Sequence, residues 1–207
     1  RGCDRALGVP AGRPLLLSVG SLVPCKGHRY LLEALPIVRQ HFPRTRLAIA
    51  GAGDQASLLR ARISDLQLTA AAQLLGYRQD VPDLLHACDL FVFPSVDEGL
   101  GSTLIDAMLA RRPIVTTTAG GIPDLVGTAR AGRSEYAWVV APARAVELGR
   151  AISDALEHPE ICATMVTRAE HRAWELFTVQ SMVDATIREY RAVLSARRSS
   201  RSSQRGE

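Results

Sequence analysis

The stretch Leu90–Thr118, LFVFPSVDEGLGSTLIDAMLARRPIVTTT, constrains the fold more than any other. Leu90–Phe93 is a short continuous apolar run ended by a proline, which predicts a buried strand. Pro94–Gly101 predicts a loop holding two acids, Asp97 and Glu98, and two glycines, Gly99 and Gly101. Ser102–Ala110 predicts a helix with Ser102 as its N-cap, Asp106 about one turn in, and Leu104, Ala107 and Met108 on one face. Pro113 stops that helix, and Ile114–Thr118 begins a second strand. Strand, glycine loop, helix and strand make one βαβ unit. Its loop lies where open α/β sheets take ligands, at the carboxyl end of a strand and the amino end of a helix. The backbone amides of Leu100–Thr103 are placed there to meet an anion, flanked by Glu98 and Asp106.

The same alternation continues along the chain. Leu15–Val19, Leu47–Ala50, Gln73–Leu75 and Trp138–Val140 read as further strands. Between them, Tyr30, Leu31, Leu32, Leu35 and Val38 recur at helical spacing, with Pro36 as a kink. A helix opened by Gly51-Ala52-Gly53 turns Leu58, Leu59, Ile63 and Leu66 to the sheet. Short helices follow over Val81–Cys88 and Gly121–Val126. Amphipathic helices close the chain over Ala145–Leu156, Pro159–Phe177 and Val179–Leu194. This pattern predicts a single doubly wound, Rossmann-like parallel sheet over residues 14–194. Residues 1–13 read as a linker remnant. Residues 195–207 read as a disordered Ser/Arg-rich tail that holds four arginines against one glutamate, most of the net charge of +4. Such a tail is suited to weak contact with an anionic membrane; no nucleic-acid partner is expected.

A chain of 207 residues with 47% hydrophobic and 22% charged residues can bury one sizeable core and reads as a soluble globular protein. No apolar run reaches the ~20 residues of a membrane span. The N-terminus has no secretory apolar core and begins without Met, which suggests a piece of a longer chain. Cys3, Cys25, Cys88 and Cys162 are scattered without a CxxC pair, so no zinc site and a reducing, cytoplasmic compartment are expected. The sequence lacks HExxH, GxSxG and Walker A patterns, which leaves metalloprotease, serine hydrolase and P-loop chemistry without support. Gly51-Ala52-Gly53-Asp54-Gln55-Ala56 fits a dinucleotide fingerprint and keeps an NAD-dependent oxidoreductase as an alternative. Against it, the loop follows the second strand, and the next strand ends at Leu75-Gly76 without the acid that would hold a ribose.

PSVDEGLGSTLIDAMLARRPIVTTTAGGIPDLV resembles the signature of retaining glycosyltransferases of family 4, which have the GT-B fold. SVGSLVPCKG (Ser18–Gly27), LAIAGAGD (Leu47–Asp54), LLGYRQDVPDLLHACDLFVFPS (Leu74–Ser95) and GGIPDLV (Gly120–Val126) are similar pieces in the family's order. The resemblance covers Leu7–Leu194 and implies only the C-terminal, donor-binding half of a GT-B enzyme. Such an enzyme transfers a hexose from a UDP-sugar or GDP-sugar to a glycan, lipid or small-molecule acceptor, with no cofactor and no metal. Its partner is an acceptor-binding N-terminal domain, in cis or in trans. Without it the piece could act as a nucleotide-sugar-binding module that does no chemistry alone.

The resemblance also implies roles for residues. Lys26 neutralises the donor diphosphate, and Glu98 lies near the transferred sugar; these two are the catalytic candidates. Asp106 stands where the family has a glutamate and accepts hydrogen bonds from the ribose. Leu100, Gly101, Ser102 and Thr103 face the phosphates. Gly51 and Gly53 lie close to the nucleotide, and the main chain at Tyr77 and Arg78 meets the base edge. Ser21 occupies the place of a family arginine, so one of two cations is missing. Arg29 and Arg78 are the nearby candidates to replace its charge.

Overall fold

The computed structural model describes residues 13–130 and 132–203, with side chains through residue 194. The linker expected over 1–13 therefore lies outside the described residues, apart from Arg13. Six strands form one sheet: β1 (Leu15–Val19), β2 (Arg46–Ala50), β3 (Ala72–Gly76), β4 (Leu90–Phe93), β5 (Ile114–Thr117) and β6 (Trp138–Val140). All neighbours pair in parallel, in the order β3-β2-β1-β4-β5-β6. Among the described residues, eight α-helices and a short 3-10 turn (Pro24–Lys26) accompany them: α1 (His28–His41), α2 (Ala56–Asp65), α3 (Val81–Ala87), α4 (Ser102–Leu109), α5 (Ile122–Val126), α6 (Ala145–Glu157), α7 (Pro159–Leu176) and α8 (Val179–Ser203). The doubly wound α/β sheet expected from the sequence is the fold.

The central strands are buried on both faces, which is why they read as unbroken apolar runs rather than alternating ones. Leu16, Ile49, Val92 and Val115 share a core with Leu31, Leu32, Leu35 and Val38 of α1 and Leu148 and Ile152 of α6. Leu17 and Phe91 alternate to the other face, where α3 lies against β1 and α4 against β5. Gly149 permits the close approach of α6 to α1: a Cβ there would come within 3.0 Å of the Ala34 carbonyl oxygen and of Ile37 Cβ.

The chain divides into two compact units, Arg1–Glu170, which holds the sheet, and His171–Glu207. In the second unit α8 continues to Ser203, whereas the composition predicts no order from Ser195 on. Extending an existing helix by one residue costs far less than starting one, and Ala and Arg are good helix formers. Among the described residues, no helix is long and apolar enough to cross a membrane.

Three local expectations are corrected. Leu58 points away from the core and is 57% exposed, while Leu59 and Ile63 carry the buried face of α2. That helix begins at Ala56, several residues after the glycines. Gly101, in the left-handed region at φ 76°, is the cap of α4, and Ser102 is its first residue without a capping bond. Pro36 lies within α1, which continues past it to His41.

Phe91 is completely buried in the central strand β4, so Phe91→Ala should cost about 3–5 kcal/mol by urea denaturation with the native far-UV signal retained.

Candidate functional site

The strand order reverses between β1 and β4, and a crevice opens outside the carboxyl ends of these two strands. Backbone hydrogen bonds join the loops that surround it. The Gly51 N–H donates to the Gly76 carbonyl at 2.8 Å, Gly20 to Ala50 at 3.0 Å, and Leu22 to Ala52 at 2.9 Å. Across the crevice the Val96 N–H donates to the Cys25 carbonyl at 2.7 Å, and Gly121 donates to the Glu98 carbonyl at 3.0 Å. The loops after β1, β2, β3, β4 and β5 thus form one connected edge.

Close crossing of these loops demands glycine. A Cβ on Gly51 would fall 1.9 Å from the Gly20 carbonyl oxygen, and one on Gly53 would fall 2.4 Å from that of Leu22. Both glycines of the apparent dinucleotide fingerprint therefore have a structural reason that needs no ligand. Gly27 has φ 68°, and a Cβ there would lie 2.0 Å from the Pro94 carbonyl oxygen. This is where the β1 loop crosses the β4 loop.

In the crevice Lys26 Nζ meets Glu98 Oε2 at 2.5 Å, although the residues are 72 positions apart. The pair is withdrawn from water, with side chains 22% and 9% exposed. The same Oε2 accepts a hydrogen bond from buried Ser95 Oγ at 3.2 Å. Ser95 is held in turn by Thr117 Oγ1, which donates to its carbonyl at 2.6 Å. The ammonium also stands 5.6 Å from the centroid of the Phe93 ring. Sequence reasoning places Lys26 and Glu98 on one sheet edge; their direct pairing is new.

The amino end of α4 closes the crevice. Its first turn holds no acid, and no side chain caps it. The Leu104 N–H turns back to the Gly101 carbonyl at 2.8 Å, which leaves the amides of Ser102 and Thr103 to face outward. Leu100 and Ser102 are exposed, Thr103 is half-buried and Gly101 is buried. Asp106 stands one turn further along; its carboxyl is pushed up from the usual range because neighbouring protein displaces part of its water, although its surface remains exposed.

Tyr77 is 74% exposed after β3. Arg78 is engaged with Asp80 through two bonds, Nε to Oδ1 at 2.8 Å and Nη2 to Oδ2 at 2.5 Å, and this pairing holds the Asp80 carboxyl below its usual range. Arg29 lies 3.6 Å from Glu33 and over the Tyr30 ring. Both cations that could replace the charge missing at the exposed Ser21 are thus committed to other partners.

His28 belongs to the same edge, though its sequence context shows only a helix start. It is 4% exposed, with Nδ1 3.4 Å from buried Ser18 Oγ. Burial lowers its pKa to about 4, outweighing the nearby backbone of Ser21 and Gly20, which favours the charged ring. The available signal was its position, two residues after Lys26 at the crossing glycine.

The family described as Glycosyl transferases group 1 matches residues 4–172. The chain is 31% identical over 191 residues to glycogen synthase of Mycobacterium tuberculosis, covering 91% of this chain and 44% of that one. It is 28% identical over 174 residues to mannosylfructose-phosphate synthase of Agrobacterium fabrum, covering 79% of this chain and 37% of the relative. The chain thus spans less than half the length of these curated relatives. The crystal structure of Anabaena Alr3699/HepE in complex with UDP superposes with a TM-score of 0.80 at 28% identity, over 93% of this chain and 52% of that one.

The low pKa of His28 makes stability depend on pH. The unfolded ring titrates near 6.5 and the folded one near 4. The stability from keeping it neutral is complete above pH 6.5 and is lost progressively as pH falls toward 4, by roughly 3 kcal/mol. Denaturant titrations at pH 7 and pH 4.5 should show this loss, and His28→Gln should flatten it.

Proposed function

The chain belongs to the glycosyl transferases group 1 family, and we propose that it is the donor-binding domain of a retaining member. In this reading a hexose passes from a nucleotide-diphosphate sugar to a glycan, lipid or small-molecule acceptor held by a separate domain. The observation that carries it is the meeting of Lys26, Glu98 and the uncapped amino end of α4 at the strand-order reversal. The UDP complex of a protein that superposes over nearly the whole chain supports a uridine donor ahead of a guanosine one.

The proposed chemistry is electrostatic. As the sugar–phosphate bond breaks, negative charge grows on the leaving diphosphate. Lys26 has three N–H donors, so it can keep Glu98 on one and present the others to phosphate oxygens. The outward amides of Ser102 and Thr103 add partial positive charge without reorganisation at the moment of reaction. Glu98, fixed by Ser95, Lys26 and the Gly121 amide, presents a carboxylate of defined position toward the sugar. Asp106 accepts from the ribose hydroxyls, and the main chain at Tyr77 meets the base. The reading calls for no resident cofactor. A cytoplasmic location, with the basic C-terminal stretch touching an anionic inner membrane face, is consistent with it.

A nucleotide-sugar-binding module that acts with a separate acceptor domain is the second reading. A dinucleotide oxidoreductase has less support, because Gly51 and Gly53 are required by the loop crossing itself. Nicotinamide dinucleotide binding by calorimetry, with none for UDP, would reverse that ranking.

Two substitutions test the site. Lys26→Ala should weaken UDP binding about ten-fold or more, since a charge-assisted phosphate contact is worth roughly 1.5–3 kcal/mol; unchanged affinity with an intact fold would exclude the role. Asp106→Asn should behave differently. Relieving a partly desolvated charge should leave the melting temperature at pH 7 unchanged or slightly higher. UDP affinity should nevertheless fall several-fold, and pyrophosphate affinity much less. Equal losses for both ligands would reduce Asp106 to a helix-supporting role.

A further inference from the structure

His28 carries an unused hydrogen-bonding group at the centre of the edge. Its Nε2 is buried with no hydrogen-bond partner among the described residues. The ring is anchored on its other side by Ser18 Oγ. A Cβ built on Gly20 would lie 3.9 Å from Nε2, so this nitrogen faces the backbone of the loop that leads to Lys26. Buried polar atoms are nearly always paired, so an orphan of this kind calls for an explanation. Backbone bonds tie the β1 loop to its neighbours at Gly20, Leu22 and Cys25, while Ser21 between them is exposed.

We propose that His28 is the positioning residue of the Gly20–Lys26 loop. The neutral ring carries its proton on Nε2, accepts from Ser18 on Nδ1, and tightens its existing approach to the Gly20 and Ser21 backbone into a full hydrogen bond when a donor diphosphate binds. This rests on the donor-binding reading. Closing that bond satisfies the orphan nitrogen and seats Lys26 over the phosphates, so part of the affinity for the diphosphate comes from a residue that never touches it. Ser21, standing where a second cation would otherwise hold the anion, makes a well-seated loop more necessary. Burial favours the neutral ring that the arrangement needs, and the neighbouring Lys26 charge acts in the same direction.

The test uses the whole chain, UDP calorimetry and nitrogen-15 NMR of the histidine ring. Wild type at pH 7 should show the Nε2–H tautomer, with its proton shifted downfield on adding UDP. His28→Phe should bind UDP about ten-fold more weakly while melting cooperatively, and His28→Gln, which can offer an N–H at a similar place, should recover most of the affinity. Should His28→Phe fail to fold, the tautomer and His28→Gln decide: an Nδ1–H ring, or an Nε2–H signal unmoved by UDP, overturns the proposal. UDP binding by His28→Phe at the wild-type level overturns it while leaving the donor-binding reading intact. Wild type that binds no UDP removes the donor-binding reading, and this inference with it.

Discussion

The structure depends on what happens between β1 and β4. After β1 the chain winds outward through β2 and β3; it then returns to lay β4 on the other side of β1 and winds outward again. Right-handed crossovers in both directions send the two successor loops apart, which leaves a crevice at their root. Contacts across it hold that crevice, among them the Val96 N–H on the Cys25 carbonyl and the Lys26–Glu98 ion pair. Neither could form if β1 and β4 were not neighbours in parallel register, as Leu16 opposite Leu90 and Leu17 opposite Phe91 require.

An ion pair so withdrawn from water is seldom retained for stability alone, since desolvation offsets much of the attraction. Here each partner is also held in place by other groups. Glu98 is fixed through Ser95 and the Gly121 amide, and Lys26 ends the short helical turn Pro24–Lys26, which the left-handed Gly27 caps. The positive end of α4 lies uncapped beside them. A phosphate entering the crevice would meet an ammonium with unused donors and a helix terminus with none of its charge cancelled by an acid in its first turn.

Local costs occur along this edge, although Thr45 Oγ1 is also buried without a partner and Gln67 and Arg111 have positive φ elsewhere. His28 has an unpaired buried nitrogen, Asp106 a partly desolvated carboxylate, and Gly27 a left-handed backbone in close contact with Pro94. The opposite end and the interior of the sheet carry the compensating apolar packing, from Leu16 and Phe91 to Leu35 and Ile152. At the edge where the loops meet, positioned polar groups that forgo their best internal partners suit a binding site.

Much of this was written in the local sequence. Short stretches of three to five residues located the strands to within a residue, most clearly the central ones, where burial on both faces leaves no room for polar alternation. The βαβ grammar of Leu90–Thr118 identified the ligand-bearing loop, and the resemblance in its motifs named the family. What the sequence alone could not show were contacts between residues far apart. Only the packed sheet brings Lys26 to Glu98 over 72 positions, spends Gly51 and Gly53 on crossing the β1 loop, and commits Arg78 to Asp80. Ser102 was misread as a cap because a glycine in the left-handed region does the same task, a backbone choice that composition does not display. His28 was passed over for a related reason. A histidine at a helix start has no pattern of its own, and its orphan nitrogen exists only once β1, the loop and α1 have closed around it.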